Sequence, residues 1–187
     1  MFIQTEATPN PNTLKFLPGR TISPDGPREF ESAEDADASP LAADLFLVDG
    51  VSGVFFGEDF IAVTKTDEYE WDQIKPFLLG AIMDGLQSGE PILGASESEV
   101  SHAAYDGESA DVVNEIIELI DTRVRPAVAN DGGDILFHSY AADSGIVRLR
   151  MRGACSGCPS STMTLKAGIE NLLKHYIPEI QGVEAVE

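Results

Sequence analysis

Cysteine is scarce in this sequence, which has only Cys155 and Cys158 among 187 residues. Two cysteines are too few for the disulfide framework of a small secreted protein. No apolar run approaches the roughly 20 residues that a membrane-spanning helix needs. The first residues, MFIQTEATPN, lack the basic and apolar regions of a secretory signal. The sequence therefore predicts a soluble intracellular protein.

Basic residues are also few, since 12 Lys and Arg face 32 Asp and Glu and leave a formal charge of -20. This is the wrong sign for a protein that binds phosphate backbones or an anionic membrane surface. Neither nucleic acid nor a membrane is expected as a partner. Hydrophobic residues make up 43% of the chain, which is enough to form a buried core.

The charge is unevenly distributed and suggests where the chain divides. Net charge is -11 over residues 1–88, -5 over 89–108 and -4 over 109–187. The middle segment contains no Lys or Arg, several Gly and Ser, and no sustained period, which is typical of a mobile acidic linker. Ile92, Leu93, Val100 and Tyr105 offer an alternative in which part of this segment docks on either neighbouring domain. We predict an α+β fold with two small α/β-sandwich domains, 1–88 and 109–187.

Short elements are indicated in the first half of the chain. FIQTE and TLKFL predict an antiparallel pair of strands, separated by a turn with two prolines. A helix ending near Gly50 and a hairpin around residues 57–59 should follow. The apolar stripe after Trp71 predicts a second helix ending near Gly89, with Pro76 tolerated only within about its first turn.

The second half predicts a helix from Ser109 that Pro126 terminates, then two strands, a helix beginning at Pro159 and a last strand at GVEAV. The Asn130–Asp134 run, NDGGD, lacks the spacing of a calcium loop and the length of a phosphate loop. It predicts a tight turn in which the glycines allow positive φ and the two aspartates are turn formers.

The residues suited to metal binding or redox chemistry lie in the sequence GACSGCPSS, between a predicted strand and a predicted helix. Thiolates on Cys155 and Cys158 would lie near the helix N-terminus, where the helix dipole and free N–H groups lower the pKa of a thiol. A CxxC loop of this kind holds iron, holds zinc, or acts as a dithiol redox couple. Spacing alone leaves these three alternatives open.

The number of ligands limits how a metal centre could be formed, because a structural zinc or an iron–sulfur cluster takes about four protein ligands. One chain supplies two thiols. His102, His138 and His175 are more typical of surface or hydrogen-bonded residues, and a helix would place His175 about 25 Å from Cys158. A symmetric homodimer that shares one metal centre through both copies of Cys155 and Cys158 satisfies the count.

Two long strings in the sequence resemble the Nfu/NifU family. GACSGCPSSTMTLKAGIE is similar to the cysteine-containing C-terminal domain of NifU-type proteins, and TPNPNTLKFLPG with DGVSGVFFGEDFIAVTK is similar to the N-terminal domain of Nfu proteins. The resemblance implies an iron–sulfur cluster carrier or scaffold, not an enzyme. It also implies that Cys155 and Cys158 of two subunits bind a [4Fe–4S] cluster, which is passed to apo-proteins. The family's N-terminal domain has no cysteine ligands, and here no cysteine precedes residue 155.

The same resemblance implies upstream cluster-assembly proteins as donors and apo iron–sulfur proteins as recipients. Mitochondrial members begin with a transit peptide, so a start at MFIQTEATPNP favours a bacterial cytoplasm, with a processed form in the mitochondrial matrix as the alternative. Thioredoxin-like redox chemistry and a zinc-bridged dimeric adaptor are the rival functions. Against the first, we find no strand and proline placed after the helix to face the cysteines.

Arg148, Arg150 and Arg152 alternate with apolar residues on the strand that leads to the cysteines. Two interpretations stay open. The arginines form an ordinary solvated strand face, or they act with the cysteine site. In the second case Arg152 offsets the charge of a thiolate-bound cluster, and Arg148 and Arg150 dock acidic recipients.

Overall fold

The computed structural model describes residues 2–93, 108–156 and 159–186. It divides the chain into two compact units, Met1–Glu99 and Val100–Glu187. Each unit pairs helices with one antiparallel or mixed sheet, so the predicted α+β class is confirmed. Among the described residues no helix is both long and apolar enough to cross a membrane.

Five strands form the sheet of the first unit, in the order β1-β2-β5-β4-β3, and all their pairings are antiparallel. The predicted pair and the predicted hairpin are confirmed as β1 with β2 and β4 with β5. The strands are β1 Gln4–Ala7, β2 Thr13–Leu17, β3 Arg28–Phe30, β4 Val51–Phe56 and β5 Ile61–Lys65.

The helices of the first unit bury one face against this sheet. They are a short 3-10 helix Asp35–Ala38, α1 Pro40–Phe46 and α2 Trp71–Gln87. Ile74, Leu78 and Ile82 of α2 share one buried cluster with Val54 of β4 and Val63 of β5. Each such side chain contributes about 1.5–3 kcal/mol when removed from water.

Two details of these helices differ from prediction. α1 ends at Phe46, and the positive φ of Gly50 (92°) belongs to the turn into β4 rather than to a helix cap. Helix α2 begins at Trp71 as predicted, but Pro76 is its sixth residue and so lies beyond the first turn. The backbone there lacks one helical donor, a loss that the burial of the apolar stripe of α2 offsets.

The loop between β1 and β2 is fixed by hydrogen bonds to distant parts of the unit. The Trp71 indole Nε1 donates to the Pro11 carbonyl at 3.0 Å, and the Asn12 amide donates to Asp67 Oδ1 at 2.6 Å. The buried Lys65 ammonium donates to Asn12 Oδ1 at 3.3 Å and lies 5.8 Å from the Trp71 ring centroid. These contacts attach the start of α2 to the TPNPN turn.

The first residues of the predicted linker are docked on the first unit. Ile92 and Leu93 pack against its core, and the Ser39 hydroxyl donates to the Ile92 carbonyl. This part of the chain follows the docked alternative, and the first unit extends past residue 88. Residues 94–107, where most of the predicted linker falls, lie outside the described part of the chain.

The second unit has a three-stranded sheet in the order β6-β7-β8. The strands are β6 Gly133–Ala141, β7 Ile146–Gly153 and β8 Gly182–Val186. β6 and β7 form an antiparallel hairpin, whose turn contains Gly145 at φ 67°, and β8 runs parallel to β7. Helix α5, Pro159–Tyr176, connects β7 to β8 and begins at the predicted proline.

The helical segment before β6 does not end at Pro126, so that prediction is wrong. It continues as α3 Glu108–Leu119, a π-helical turn Ile120–Val124 and α4 Arg125–Asn130. In a regular helix a proline lacks the N–H for its bond and its ring meets the carbonyl four residues earlier. The wider π turn places Pro126 in the first turn of α4, where that N–H is not required.

The alternation predicted for β7 is confirmed. Val147, Leu149 and Met151 are buried in one cluster with residues of the helices, β6 and β8, while the arginines lie on the opposite face. Because side chains on a strand point alternately to the two faces, the apolar and cationic sets are separated by the sheet itself.

Candidate functional site

Cys155 lies on the loop between β7 and α5, and the loop is attached to the β6 hairpin. The Ala154 N–H donates to the Gly132 carbonyl at 3.1 Å, and the Ser156 N–H donates to the Gly153 carbonyl at 3.0 Å. Gly132 and Gly153 have positive φ, 81° and 64°, which glycine adopts without strain. These two turns set where the chain leaves β7 and so determine the position of Cys155.

Gly133 provides the surface on which the Cys155 side chain rests. A Cβ at position 133 would be 2.6 Å from the Cys155 Sγ and 2.7 Å from the Arg152 carbonyl oxygen. Atoms do not approach so closely without displacement. The predicted role of the glycines in positive φ therefore holds for Gly132, whereas Gly133 is needed for close packing at the first residue of β6.

Cys155 is buried, with 7% of its surface exposed, and it belongs to the core cluster of the second unit. Its carbonyl accepts a hydrogen bond from Thr162 Oγ1 at 3.1 Å, which ties the loop to the first turns of α5. The sequence predicts thiols near the N-terminus of a helix, where the helix dipole stabilises a thiolate. The structure instead buries the Cys155 side chain among the apolar residues of the second unit.

The expectation of a lowered thiol pKa is wrong for Cys155. Burial, together with the smaller effect of the Asp131 and Asp134 carboxylates, raises the pKa of this thiol to about 12. Loss of water around a thiolate and two negative neighbours both disfavour the charged form. Cys158 lies outside the described residues.

Asp134 is a buried ion-pair partner rather than a turn former. Its two carboxylate oxygens accept from Arg125 Nε at 2.8 Å and Arg125 Nη2 at 3.1 Å, a bidentate arrangement. The Asp134 side chain is 5% exposed, and Arg125 is 30% exposed and also contacts Asp121 at 3.2 Å. This network joins α4 to the start of β6, next to the residue that supports Cys155.

Sequence reasoning missed Arg125 and the packing role of Gly133. A signal for the glycine exists in the sequence, because the second of two adjacent glycines begins a strand, where glycine often marks a close approach. No sequence signal pairs Arg125 with a carboxylate nine residues later, at the other end of α4 and its following turn. Only the fold brings them together.

The histidines do not join this site within the described residues. His138 is exposed, with its Nδ1 3.1 Å from the Ser139 hydroxyl, and His175 stacks edge-on against Tyr176 at the far end of α5. His102 falls outside the described residues. Across residues 2–93, 108–156 and 159–186, no three His, Cys, Asp or Glu side chains are grouped to hold a metal ion. Cys155 is the thiol that this part of the chain contributes.

Two family models match the chain and together span most of it. The N-terminal domain of the Nfu/NifU scaffold proteins matches residues 3–89, and the NifU-like domain matches residues 116–184. NifU-like protein 4, mitochondrial, of Arabidopsis thaliana is 49% identical over 98% of this chain and 65% of its own length. The human NFU1 iron-sulfur cluster scaffold homolog, mitochondrial, is 48% identical over 100% of this chain and 72% of its own length.

A solved structure, the NifU-like protein from Saccharomyces cerevisiae, is 27% identical over 51% of this chain and 87% of that chain, with a TM-score of 0.47. The domain matches and the relatives show that this chain belongs to the Nfu/NifU family of iron–sulfur cluster scaffold proteins. The family resemblance of the two sequence strings is thereby confirmed. The chain spans about two thirds of the length of the first of these curated relatives.

Both curated relatives are named as mitochondrial proteins. The expected bacterial cytoplasm has no support from these names.

Proposed function

We propose that this chain is a carrier that binds a [4Fe–4S] cluster as cargo and delivers it to apo-proteins. The observation that carries the proposal is the placement of Cys155 on a supported strand-to-helix loop, with Cys158 three positions later, in a chain of this family. Thiolate sulfur is the ordinary protein ligand of such clusters. The carrier binds and transfers, and it catalyses no reaction of its own.

The ligand count supports a shared site. A [4Fe–4S] cluster takes four thiolates, one chain has Cys155 and Cys158, and the described residues contribute no further grouped ligands. Two copies of the chain therefore supply one complete set, and we propose a homodimer when the cluster is bound. A cluster held between two subunits is released when the subunits separate, which leaves each unit folded.

Local packing supports a fixed position for the first ligand. Gly133 lies beneath the Cys155 Sγ, and the hydrogen bonds of Ala154 and Thr162 hold the loop on both sides. A ligand held in place loses little conformational freedom when the cargo binds. Binding the cluster requires both cysteines to release their protons.

The rival redox function is less well supported. Reactive thiols of disulfide oxidoreductases have a lowered pKa, whereas the pKa of Cys155 is raised to about 12. After α5, which ends at Tyr176, the chain passes Pro178 and enters β8, which runs parallel to β7. A zinc-bridged dimer would use the same four thiolates. The experiment below distinguishes it from a cluster carrier.

Recipients and donors follow from the same proposal: apo iron–sulfur proteins receive the cluster, and upstream assembly proteins supply it. The mitochondrial names of the relatives favour the mitochondrial matrix over the bacterial cytoplasm. With a charge of -20, neither nucleic acid nor an anionic membrane is proposed as a partner.

Anaerobic purification followed by absorption and Mössbauer spectroscopy tests the proposal. The expected result is a [4Fe–4S] spectrum with about four iron atoms per two chains, and a dimer in sedimentation. Cys155→Ser and Cys158→Ser should each remove the chromophore, while Ser144→Ala, in the exposed turn at the far end of the β6–β7 hairpin, should retain it. A colourless zinc protein, a metal-free dithiol, or full iron retention in Cys158→Ser would overturn the assignment.

A further inference from the structure

The outer face of β7 carries three arginines in a row. Arg148, Arg150 and Arg152 occupy alternate positions of the strand, and the side chains between them are buried on the other face. The Arg148 side chain is 43% exposed and forms an ion pair with Glu184 of β8 at 3.2 Å. Arg150 is exposed. We call these three residues the arginine stripe.

The strand register identifies the neighbours of the stripe. Arg150 lies opposite Leu136 on β6 and Val186 on β8, and Arg148 lies opposite Ser139 on β6 and Glu184 on β8. Residues paired across strands point to the same face. The described helices of the second unit share their buried cluster with the opposite, apolar face. Within the described part of the chain, the middle of the stripe therefore faces solvent.

The positive charge of this face contrasts with the negative net charge of the whole chain. Residues 109–187 contain seven Lys and Arg, and three of them form the stripe. The full chain has a net charge of -20, so an acidic partner is repelled by most of its surface. A local cationic face on an anionic protein orients such a partner during approach, because the attractive field acts only there.

The stripe also points along the chain toward the cysteine loop. Arg152 is four positions after Arg148, a distance of about 13 Å along a strand. Arg152 precedes Cys155 by three residues, which limits their Cα separation to about 11 Å. The stripe therefore runs to the same end of the sheet as the loop that carries Cys155, while the Cys155 side chain belongs to the buried cluster of the other face.

We propose that the stripe is the docking surface for the acidic face of an apo-protein recipient, which rests on the proposed carrier function. A symmetric contact between the stripes of two copies does not fit, since it brings like charges together. Arg148 and Arg150 supply the docking charge. Arg152, opposite Asp134 in the register and close to Cys155, belongs to the cluster loop and is left unchanged in the test.

Binding of a fluorescently labelled, acidic apo-ferredoxin of the [4Fe–4S] class to the cluster-free full chain tests the surface. Arg148→Gln with Arg150→Gln should slow association about tenfold at an ionic strength of about 0.01 M, where charges interact over about 30 Å. The difference should shrink at about 0.15 M, where the screening length is about 8 Å. The matched control, Lys75→Gln with Lys166→Gln, removes the same charge from two helices and should change association less than twofold.

Three outcomes would overturn the proposal: equal association rates for the stripe variant and the control, no dependence of the difference on salt, or tighter binding of duplex DNA than of the ferredoxin. Iron content of the reconstituted stripe variant is measured separately and should equal that of the unaltered chain. The two proposals fail in different measurements, because association is measured on the cluster-free chain. If the carrier function is wrong, the reconstituted unaltered chain lacks the cluster iron. If the docking surface is wrong, the stripe variant associates with the ferredoxin as fast as the unaltered chain does.

Discussion

Gly133 and Cys155 occupy adjoining space so closely that a single added carbon would put them in collision. The Cβ of any larger residue at position 133 would be 2.6 Å from the Cys155 Sγ and 3.1 Å from the Cys155 backbone nitrogen. The first residue of β6 thereby fixes the side chain and the backbone of a residue 22 positions later. The candidate ligand depends on a glycine that itself has no ligand chemistry.

Gly133→Ala should destabilise the second unit by about 2 kcal/mol, because the Arg152 carbonyl, 2.7 Å from the new Cβ, is backbone and cannot rotate away. Iron retained after reconstitution should fall with it. Gly168→Ala is the matched control, since a Cβ there meets nothing within 4 Å and lies in α5. It should stabilise the unit by about 0.5–1 kcal/mol. Urea unfolding and iron analysis report both effects, and an unperturbed Gly133→Ala protein would contradict the packing argument.

Arg125→Gln should cost about 3 kcal/mol, because it leaves the buried Asp134 carboxylate without its bidentate partner. Asp134→Asn should cost less, since Arg125 is partly exposed and keeps Asp121. The double variant should lose less than the sum of the two single variants, as expected for groups in direct contact. Hydrogen exchange of the β6 and β7 amides in the full chain measures these losses. Strict additivity would show that the pair is not coupled.

Stability of the second unit should depend on pH through Glu170. Its carboxylate accepts from Lys174 Nζ at 2.7 Å and from the Val183 N–H at 3.3 Å, and these contacts hold the pKa of Glu170 below its ordinary value. A lowered pKa in the folded state gives a stabilisation that is present above the unfolded pKa of about 4.3 and is lost as pH falls through the folded pKa.

Glu170→Gln should therefore be less stable than the unaltered chain at neutral pH. The difference in urea midpoint should shrink as pH falls from the unfolded pKa of about 4.3 through the lowered folded-state pKa of Glu170. The amide oxygen of Gln can still accept from the Val183 N–H, so the variant isolates the effect of charge. A difference that stays constant from neutral to acid pH would exclude this role for Glu170.

Ser39→Ala should destabilise the first unit by about 1–2 kcal/mol. The Ser39 hydroxyl is buried, accepts from the Ala42 N–H at 3.1 Å to cap α1, and donates to the Ile92 carbonyl. The variant removes the cap and leaves a carbonyl without its donor. Ser52→Ala, whose hydroxyl is exposed on β4, should change the stability by less than about 0.5 kcal/mol. Equal effects of the two substitutions would refute the buried cap.

Local patterns accounted for much of the fold. The alternation of Val147, Leu149 and Met151 with arginines predicted both the strand and its two faces, because a period of two has no helical equivalent. Pro159 predicted the start of α5, since proline is favoured in a first helical turn. The same kind of reasoning wrongly predicted a helix end at Pro126. A π turn, which the local sequence does not reveal, precedes this proline and accommodates it inside a helical segment.

The sequence predicts the cysteine motif of the candidate site, but it does not predict the surroundings of the Cys155 side chain. The spacing of Cys155 and Cys158 placed two thiols on a strand-to-helix loop, and the structure puts Cys155 there. The raised pKa of Cys155 arises from burial against β6 and from Asp131 and Asp134, which are more than 20 positions away in sequence. Desolvation and charge proximity of this kind are properties of the assembled fold.

The single tryptophan of the chain, Trp71, donates its indole N–H to the TPNPN turn of the first unit. Its fluorescence is therefore an intrinsic optical probe of one unit alone, and release of the Pro11 carbonyl to water should shift the emission. Urea titrations followed by tryptophan emission and by hydrogen exchange of the β6 and β7 amides would record a separate unfolding curve for each unit, without an added label.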